Sequence, residues 1–362
     1  LVLTPPGRAL LARNVELLLA DVLRGDVRIG RITGSFLRDL HLERVEIRDT
    51  TGAMFVQAAE ADVRFRLPSI LGKRYVFDRV VLVRPVVSLV RHASGRWNYE
   101  DVLKLGESKS PPRAEGDLIE LHDVTLEDAT VSLSYPWPAK NLSPRQRDSV
   151  ISAARAVPGR LVGMTRQGMS RMVVASGVTA HLRRLRISDP DRTKPVLIVV
   201  DTLRADVSDP MVQIRDVEGV VEQRKDSLRL WLTRVQLPRT VASVEGTVTW
   251  PGGALLLDVR ARATELALAD VRFISPDLPD MTGRATAIAK WETRTRTAYD
   301  LRDLVLVDGP ERIEGGLVAV VDSARGLGVR RLRLQLRQVN LDKVRPFLDT
   351  LPFDGRLTGP VQ

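Results

Sequence analysis

The residues of this chain that could do chemistry are few and lie far apart in the sequence. None of the four histidines (His41, His92, His122 and His181) has a second histidine or a cysteine at the spacing of metal ligands. The chain contains no cysteine, which excludes disulfides and thiolate chemistry. We therefore predict no metal site and no cofactor.

Two further patterns match catalytic motifs only in part. Gly326-Leu327-Gly328 lacks the third glycine and the following helix of a nucleotide-binding fingerprint, so it indicates a hairpin turn. The carboxylates of Asp258, Glu265 and Asp270 lie at the polar positions of alternating strands, and no other chemical group converges on them. No serine-hydrolase or phosphate-loop motif is present. We therefore predict that the protein is not an enzyme.

The elements that would position any site are strands with one aliphatic face. The stretch 226–263 has this pattern most clearly, because leucines and valines occupy every second position and charged residues lie between them. Successive side chains of a strand point to opposite faces of its sheet. We therefore predict a mainly β fold whose sheet is aliphatic on one face and charged on the other.

The composition supports a folded β protein with a basic surface. Of the 362 residues, 44% are hydrophobic but only 4% are aromatic, so burial depends on leucine, valine and alanine. The net charge is +10, and 47 of the 55 basic residues are arginines, dispersed rather than in blocks. This dispersion favours a solvated charged face over attraction to lipid head groups. It favours nucleic acid least, and we expect no nucleic-acid partner.

We predict four regions along the chain: an N-terminal helix with strands (1–106), a linker (107–116), strands with a helical insertion (117–175), and a repetitive β region (176–362). The amphipathic helix predicted at 7–23 either caps the sheet or lies on a membrane. The helical insertion, 141–173, begins at Ser143-Pro144. It either covers a sheet edge or groove, or acts as a lid or membrane contact.

An internal repeat lies in the last third of the chain. Leu268-Ala269-Asp270-Val271-Arg272 matches Leu341-Asp342-Lys343-Val344-Arg345 at a spacing of 73 residues. A Leu-Pro pair follows in both copies at the same spacing. A Gly-Arg pair then follows in both, at a spacing that differs by one residue. Each copy predicts a strand, a short helical corner and a return strand, a unit that has to stack on its neighbours.

Several motifs, in their order along the chain, resemble the AsmA/TamB family of bacterial envelope proteins, which have a bridge-like lipid-transfer architecture. The motifs are Thr4-Pro5-Pro6-Gly7-Arg8, Val27-Arg28-Ile29-Gly30, Gly34-Ser35-Phe36-Leu37, Arg84-Pro85-Val86-Val87-Ser88-Leu89, Gly95-Arg96-Trp97-Asn98 and the repeated corner. The chain opens on apolar residues and ends inside a repeat, so we expect a fragment of such a protein.

The resemblance implies a periplasmic protein anchored in the inner membrane by a missing N-terminal helix. It implies an elongated, curled antiparallel sheet of stacked repeats, with a few short helices, whose groove carries phospholipid acyl chains. An outer-membrane barrel would be the partner of the missing C-terminal region. We expect the groove to be lined by Leu228, Leu230, Leu232, Leu255, Leu257, Val259, Leu332, Leu334 and Leu336.

Two alternatives to lipid transport remain open at the level of sequence. A scaffold for outer-membrane proteins would use exposed strand edges as templates for incoming strands. A closed β-solenoid with a dry core would have a purely structural role. The first alternative predicts bound barrel protein, the second predicts neither barrel protein nor lipid, and a conduit predicts bound phospholipid.

Overall fold

A computed structural model describes residues 25–35, 38–66, 74–102, 118–137, 143–165, 168–189, 191, 194–224, 226–250, 256–293, 296–322, 326–343, 345 and 354–362. Strands hold 73% of the structure and helices 9%, so the predicted mainly β fold with few helices is confirmed. The chain divides into two compact units, Leu1–Gln213 and Ile214–Gln362. Over the described ranges, no helix has the length and apolar character needed to cross a membrane.

The first unit is built on long strands. Its strands are β1 (Val27–Ser35), β2 (Asp39–Arg48), β3 (Met54–Phe65), β4 (Arg74–Val83), β5 (Val86–Val90), β6 (Leu118–Pro136), β7 (Leu161–Thr165), β8 (Gly168–Ser188) and β9 (Val196–Ser208), and β10 (Met211–Ile214) follows them. Strands β1 to β4 pair in sequence, and β8 pairs with β6, β7 and β9, all antiparallel.

The first unit departs from the predicted antiparallel pairing at one strand. Both β4 and β5 pair with β6 in parallel, one after the other along its length. The break between β4 and β5 is Arg84-Pro85, where Arg84 has a φ of 47°. The sequence predicted a bulge or edge at this proline because proline cannot donate a ladder hydrogen bond. The break allows two shorter strands to pair with successive parts of the 19-residue strand β6.

The core of the first unit lies on one face of its strands. Cross-strand pairing aligns six aliphatic residues, one per strand, in a single row: Leu40, Val63, Val80, Val124, Leu182 and Val200. Five of the six are buried, and Val63 packs against them. The opposite face carries charged residues such as Asp39, Arg64 and Arg79, which form a row across three strands, as the alternation predicted.

The Gly95–Asn98 motif positions a short helix, α1 (Asn98–Val102), against β5. The Asn98 side chain is 1% exposed. Its Oδ1 accepts from the Val90 amide at 2.9 Å, and its Nδ2 donates to the Ser88 carbonyl at 2.7 Å. An asparagine is needed here because one side chain both donates and accepts. The motif therefore has a structural role.

The predicted helical insertion is a helix only in its first part. Helix α2 (Pro144–Arg155) begins as predicted, with a capping box in which Ser143 accepts from Gln146 and Gln146 accepts from Ser143. It ends early because Pro158-Gly159 follows, and Gly159 has a φ of +75°. Strands β7 and β8 occupy most of the remainder of the predicted 141–173 helix.

The second unit is an antiparallel meander in chain order. Its strands are β11 (Asp216–Arg224), β12 (Ser227–Gln236), β13 (Val241–Thr249), β14 (Leu256–Ala267), β15 (Thr282–Thr293), β16 (Arg296–Asp308), β17 (Glu311–Asp322), β18 (Gly326–Asn340) and β19 (Arg356–Val361). Each pairs antiparallel with the next. Sequential pairing follows from short connections, which favour hairpins.

The predicted repeat forms two equivalent corners. Leu268–Val271 and Leu341–Lys343 are both 3₁₀ turns, and the first leucine of each is buried. The amide of Leu268 donates to the Met281 carbonyl, and the amide of Leu341 donates to the Gly355 carbonyl, each at 3.0 Å. Each corner thus closes on the segment that leads into the next strand.

The domain boundaries differ from those predicted. The boundary at residue 175 falls inside β8, whereas the division between the two compact units is at residue 213. The alternating pattern continues across both places, so hydrophobic periodicity carries no signal for the division. The helix predicted at 7–23 and the linker at 107–116 lie outside the described residues.

Candidate functional site

The candidate site is one face of the second unit, which we call the aliphatic face. It holds the alternating apolar side chains of β12, β13 and β14, because directly paired residues of antiparallel strands share a face. Three rows cross these strands: Leu232–Val244–Ala261, Leu230–Gly246–Val259 and Leu228–Val248–Leu257. The middle row continues through β15 to β18 as Ala289, Tyr299, Ala319 and Val329.

The structure brings the predicted lining residues together on this face. Leu228, Leu230, Leu232, Leu257 and Val259 are all half-buried within the three rows. The three predicted residues of β18 lie on the same face but differ from one another in exposure. Leu332 and Leu334 are half-buried, whereas Leu336 is 4% exposed and belongs to the corner core. Leu255 lies outside the described residues.

The aliphatic face is closed at one end and open at the other. At the end near the Leu268 corner, Met281, Leu304 and Leu336 pack into a buried cluster. At the opposite strand ends the apolar side chains are exposed: Trp291 at 41%, Val321 at 37% and Val329 at 52%. Sequence reasoning missed these three residues, although Lys290 and Glu292, the charged neighbours of Trp291, could have indicated that its strand alternates here.

Short side chains occupy the middle of the aliphatic face. Gly246, Ala261 and Ala289 lie between the leucine rows of β12 and the apolar residues of β16. Glycine and alanine project little from a sheet, whereas the flanking leucines and Tyr299 project far. The face therefore combines small residues with larger apolar ones such as Val259 and Tyr299, and this uneven apolar surface is suited to flexible hydrocarbon.

The opposite face of the second unit, the polar face, carries paired charges. Arg260 lies 3.6 Å from Glu245, and the two residues are directly opposite each other on β14 and β13. Trp231 lies on this face, as its place among charged residues predicted, with the Arg229 guanidinium 4.3 Å from its ring centroid. A cavity of about 590 Å³ opens here, lined mainly by polar-face residues and bordered by Val244.

The partial catalytic motifs have structural places. Gly326 and Gly328 lie in the first residues of β18 and pair with β17, so the hairpin turn predicted at these two glycines is wrong. Asp258 and Glu265 are exposed on β14. Asp270 accepts from the Arg239 amide at 2.7 Å. In the part of the chain that the structure describes, no three His, Asp or Glu side chains are grouped to hold a metal ion.

Every histidine lies beside a carboxylate, which the sequence did not indicate. Its nearest carboxylates come from a neighbouring strand, the same strand or the adjoining helix. The nitrogen–oxygen distances are 2.8 Å for His41–Asp62, 3.0 Å for His92–Asp101, 2.7 Å for His122–Glu120, and 2.8 and 3.1 Å for His181 with Asp123 and Asp201. These pairs lie at separate positions, so they indicate local polar contacts and not one shared site.

The His41–Asp62 pair predicts a measurable pH dependence. The hydrogen bond that His41 Nδ1 donates to the Asp62 carboxylate raises the pKa of His41 above its ordinary value. The pair therefore stabilises the fold fully below about pH 6.5, and this contribution disappears as pH rises through the folded pKa. Solvent screening keeps it below about 1 kcal/mol. We expect Asp62→Asn to lower the His41 pKa toward its ordinary value in an NMR titration.

The control for this titration is Asp201→Asn, which removes a carboxylate beside His181 instead. It is expected to leave the His41 pKa unchanged. A His41 pKa that did not move in Asp62→Asn would contradict the pairing.

Comparisons with protein-family models, curated proteins and solved structures found no match for this chain. The resemblance to the AsmA/TamB family drawn from the sequence motifs therefore stays a prediction.

Proposed function

We propose that this protein binds phospholipid acyl chains on its aliphatic face and carries them between the two membranes of a bacterial envelope. It would do so in the periplasm, anchored in the inner membrane, with an outer-membrane barrel as its partner. One observation carries the proposal. Eight of the nine predicted lining residues are described, and they share one face whose far end leaves Trp291, Val321 and Val329 exposed.

The physical reason is the free energy of exposed apolar surface. Burial of such surface stabilises by about 25 cal/mol per Å², and soluble monomers rarely leave a large contiguous apolar patch uncovered. An acyl chain can cover such an apolar face without directional contacts. The small residues Gly246, Ala261 and Ala289 leave space beside their larger neighbours for parts of a chain that lies on this face.

The proposed role requires no catalytic residue. Acyl chains are held by nonspecific burial, so the contribution of each side chain is small and many are interchangeable. The polar face is consistent with this role because several of its arginines lie beside carboxylates, as in Arg260–Glu245 and Arg302–Asp300. Such pairing supports a solvated outer surface and gives no reason to propose a nucleic-acid partner.

The test is native mass spectrometry of the purified chain, followed by lipid extraction. We expect co-purified phospholipid, released on denaturation, with mixed acyl-chain composition. Co-purified unfolded barrel protein without lipid would favour a scaffold for outer-membrane proteins instead. A chain that carried neither, even after incubation with phospholipid vesicles, would overturn the proposal and favour a closed structural β-solenoid.

A further inference from the structure

A charged cluster lies at one end of the strands of the first unit. Arg160 follows α2, Arg171 lies on β8, and Asp209 follows β9. Asp209 Oδ2 accepts from Arg160 Nε at 3.2 Å and from Arg171 Nη2 at 2.6 Å. The Asp209 side chain is only 4% exposed, and those of the two arginines are 29% and 25% exposed. The cluster is therefore largely withdrawn from water.

The cluster has a surplus of positive charge. Two guanidinium groups share one carboxylate oxygen, and among the described residues no second carboxylate contacts either of them. A guanidinium has five N–H donors in a planar fork, so Asp209 engages only part of the set. A charge at a partly buried position attracts an anion more strongly than the same charge in water. The cluster can therefore accept one more anionic group.

Apolar residues lead up to the cluster on the same face of the sheet. Arg171 pairs with Tyr135 across β8 and β6. Two residues further along, Val173 pairs with Leu133, which pairs with Leu89 of β5. Because strand side chains alternate, these three aliphatic residues share a face with Tyr135 and Arg171. All three are half-buried, and we call them the apolar stripe.

The far side of the cluster is closed by α2. Ala154 and Ile151 of this helix pack with Val162 and Met169, which lie on β7 and β8. The Tyr135 hydroxyl lies in the field of Arg160, Arg171 and Asp209, and burial is the main cause of its raised pKa, so it stays a hydrogen-bond donor. The cluster thus lies between the half-buried apolar stripe and the end closed by α2.

The backbone around Arg160 is fixed by the preceding glycine. A Cβ at Gly159 would lie 1.9 Å from the Ser208 carbonyl oxygen, and Gly159 has a φ of +75°. Only glycine allows the turn to pack this closely on the segment that carries Asp209. Arg160 is therefore held in place before any ligand arrives, which reduces the entropy lost on binding.

We propose that Arg160 and Arg171 bind the phosphate of a phospholipid whose acyl chains lie along the apolar stripe. Arginine forks match the geometry of phosphate oxygens, and the Tyr135 hydroxyl provides a further donor. Free inorganic phosphate would gain nothing from the stripe, so the lipid is the source favoured by the geometry. This inference rests on the proposed function for acyl-chain binding and adds a headgroup site to it.

The experiment compares two soluble lipids with matched chains, dioctanoyl phosphatidylglycerol and dioctanoylglycerol, by calorimetric titration of the full chain. Inorganic phosphate is titrated alone as a third ligand. Arg160→Gln removes the surplus charge but keeps the Arg171–Asp209 pair, so the fold is retained. Asp209→Asn frees both arginines. Arg183→Gln is the control, since Arg183 is an exposed arginine on β8 paired with Asp201.

We expect Arg160→Gln to weaken phosphatidylglycerol binding about tenfold and to leave dioctanoylglycerol binding unchanged. Asp209→Asn should strengthen phosphatidylglycerol binding, and Arg183→Gln should change neither lipid. Equal binding of the two lipids, unaffected by Arg160→Gln, would overturn the headgroup site and leave the proposed function standing. Phosphate binding as tightly as the phospholipid would also overturn it. Failure of both lipids to bind would count against the proposed function itself.

Discussion

Val244→Asp is expected to weaken lipid binding by about tenfold or more without unfolding the protein. Val244 lies in the row Leu232–Val244–Ala261 of the aliphatic face and is half-buried. A carboxylate there would have to lose water when an acyl chain covers it, which costs several kcal/mol. Each 1.4 kcal/mol or so corresponds to a tenfold change in affinity. Titration with dioctanoylglycerol, which lacks the phosphate that Arg160 and Arg171 would bind, measures the effect.

The matched control is Ser243→Asp, on the same strand and one residue away. Ser243 is exposed on the polar face, directly opposite Arg262, so the new carboxylate gains a partner and stays solvated. We expect its lipid affinity to stay within about twofold of the parent, since an exposed charge pair contributes below about 1 kcal/mol. If lipid occupied the polar-face cavity, which Ser243 also lines, Ser243→Asp would be the more damaging variant.

Gly246→Ala is expected to destabilise the second unit by about 3 kcal/mol or more. Gly246 has a φ of +143°, a region that residues with a Cβ rarely adopt and that costs about 1–3 kcal/mol. A Cβ there would also lie 2.3 Å from the Asp258 carbonyl oxygen and 2.7 Å from the Val259 Cα. Both neighbours are backbone atoms of the paired strand, so they cannot move aside. The melting temperature, measured by thermal denaturation, should fall by roughly 6–12 °C.

Gly328→Ala is the control for this change in the same unit. Its added Cβ would have the Val320 carbonyl oxygen as nearest neighbour, 4.0 Å away, and its φ lies outside the left-handed region. We expect a change within about 0.5 kcal/mol. Equal melting temperatures for the two variants would mean that the close approach of β13 and β14 at Gly246 is not maintained in solution.

The pattern of alternation predicted much of this fold because it depends on geometry within one strand. Side chains two apart share a face in any strand, so Leu228, Leu230 and Leu232 had to lie together on β12. The repeated corner could also be predicted from the sequence, because Leu268 and Leu341 begin matching local sequences. The structure buries both leucines.

Bulges limited how far alternation could be followed. Leu301 and Leu304 are three residues apart, an odd spacing that assigns them to opposite faces in a regular strand. Both lie on the aliphatic face, since Leu301 pairs with Leu317 and Leu304 with Gly315. The register shifts between them, where Asp303 has a φ of 51°. Aspartate tolerates this conformation, but aspartate is also common at regular polar positions, so the sequence does not distinguish the two cases.

The histidines illustrate which features the sequence determined and which required the tertiary structure. The sequence by itself determined which residues are apolar, how they alternate and where helices start and corners repeat, because these depend on neighbouring residues. Only the tertiary structure decided which strands pair, in which register and direction. It therefore also decided that His41 meets Asp62, that two arginines share Asp209, and that the aliphatic face is closed at one end and open at the other. Those contacts join residues distant in the chain, and no local propensity encodes them.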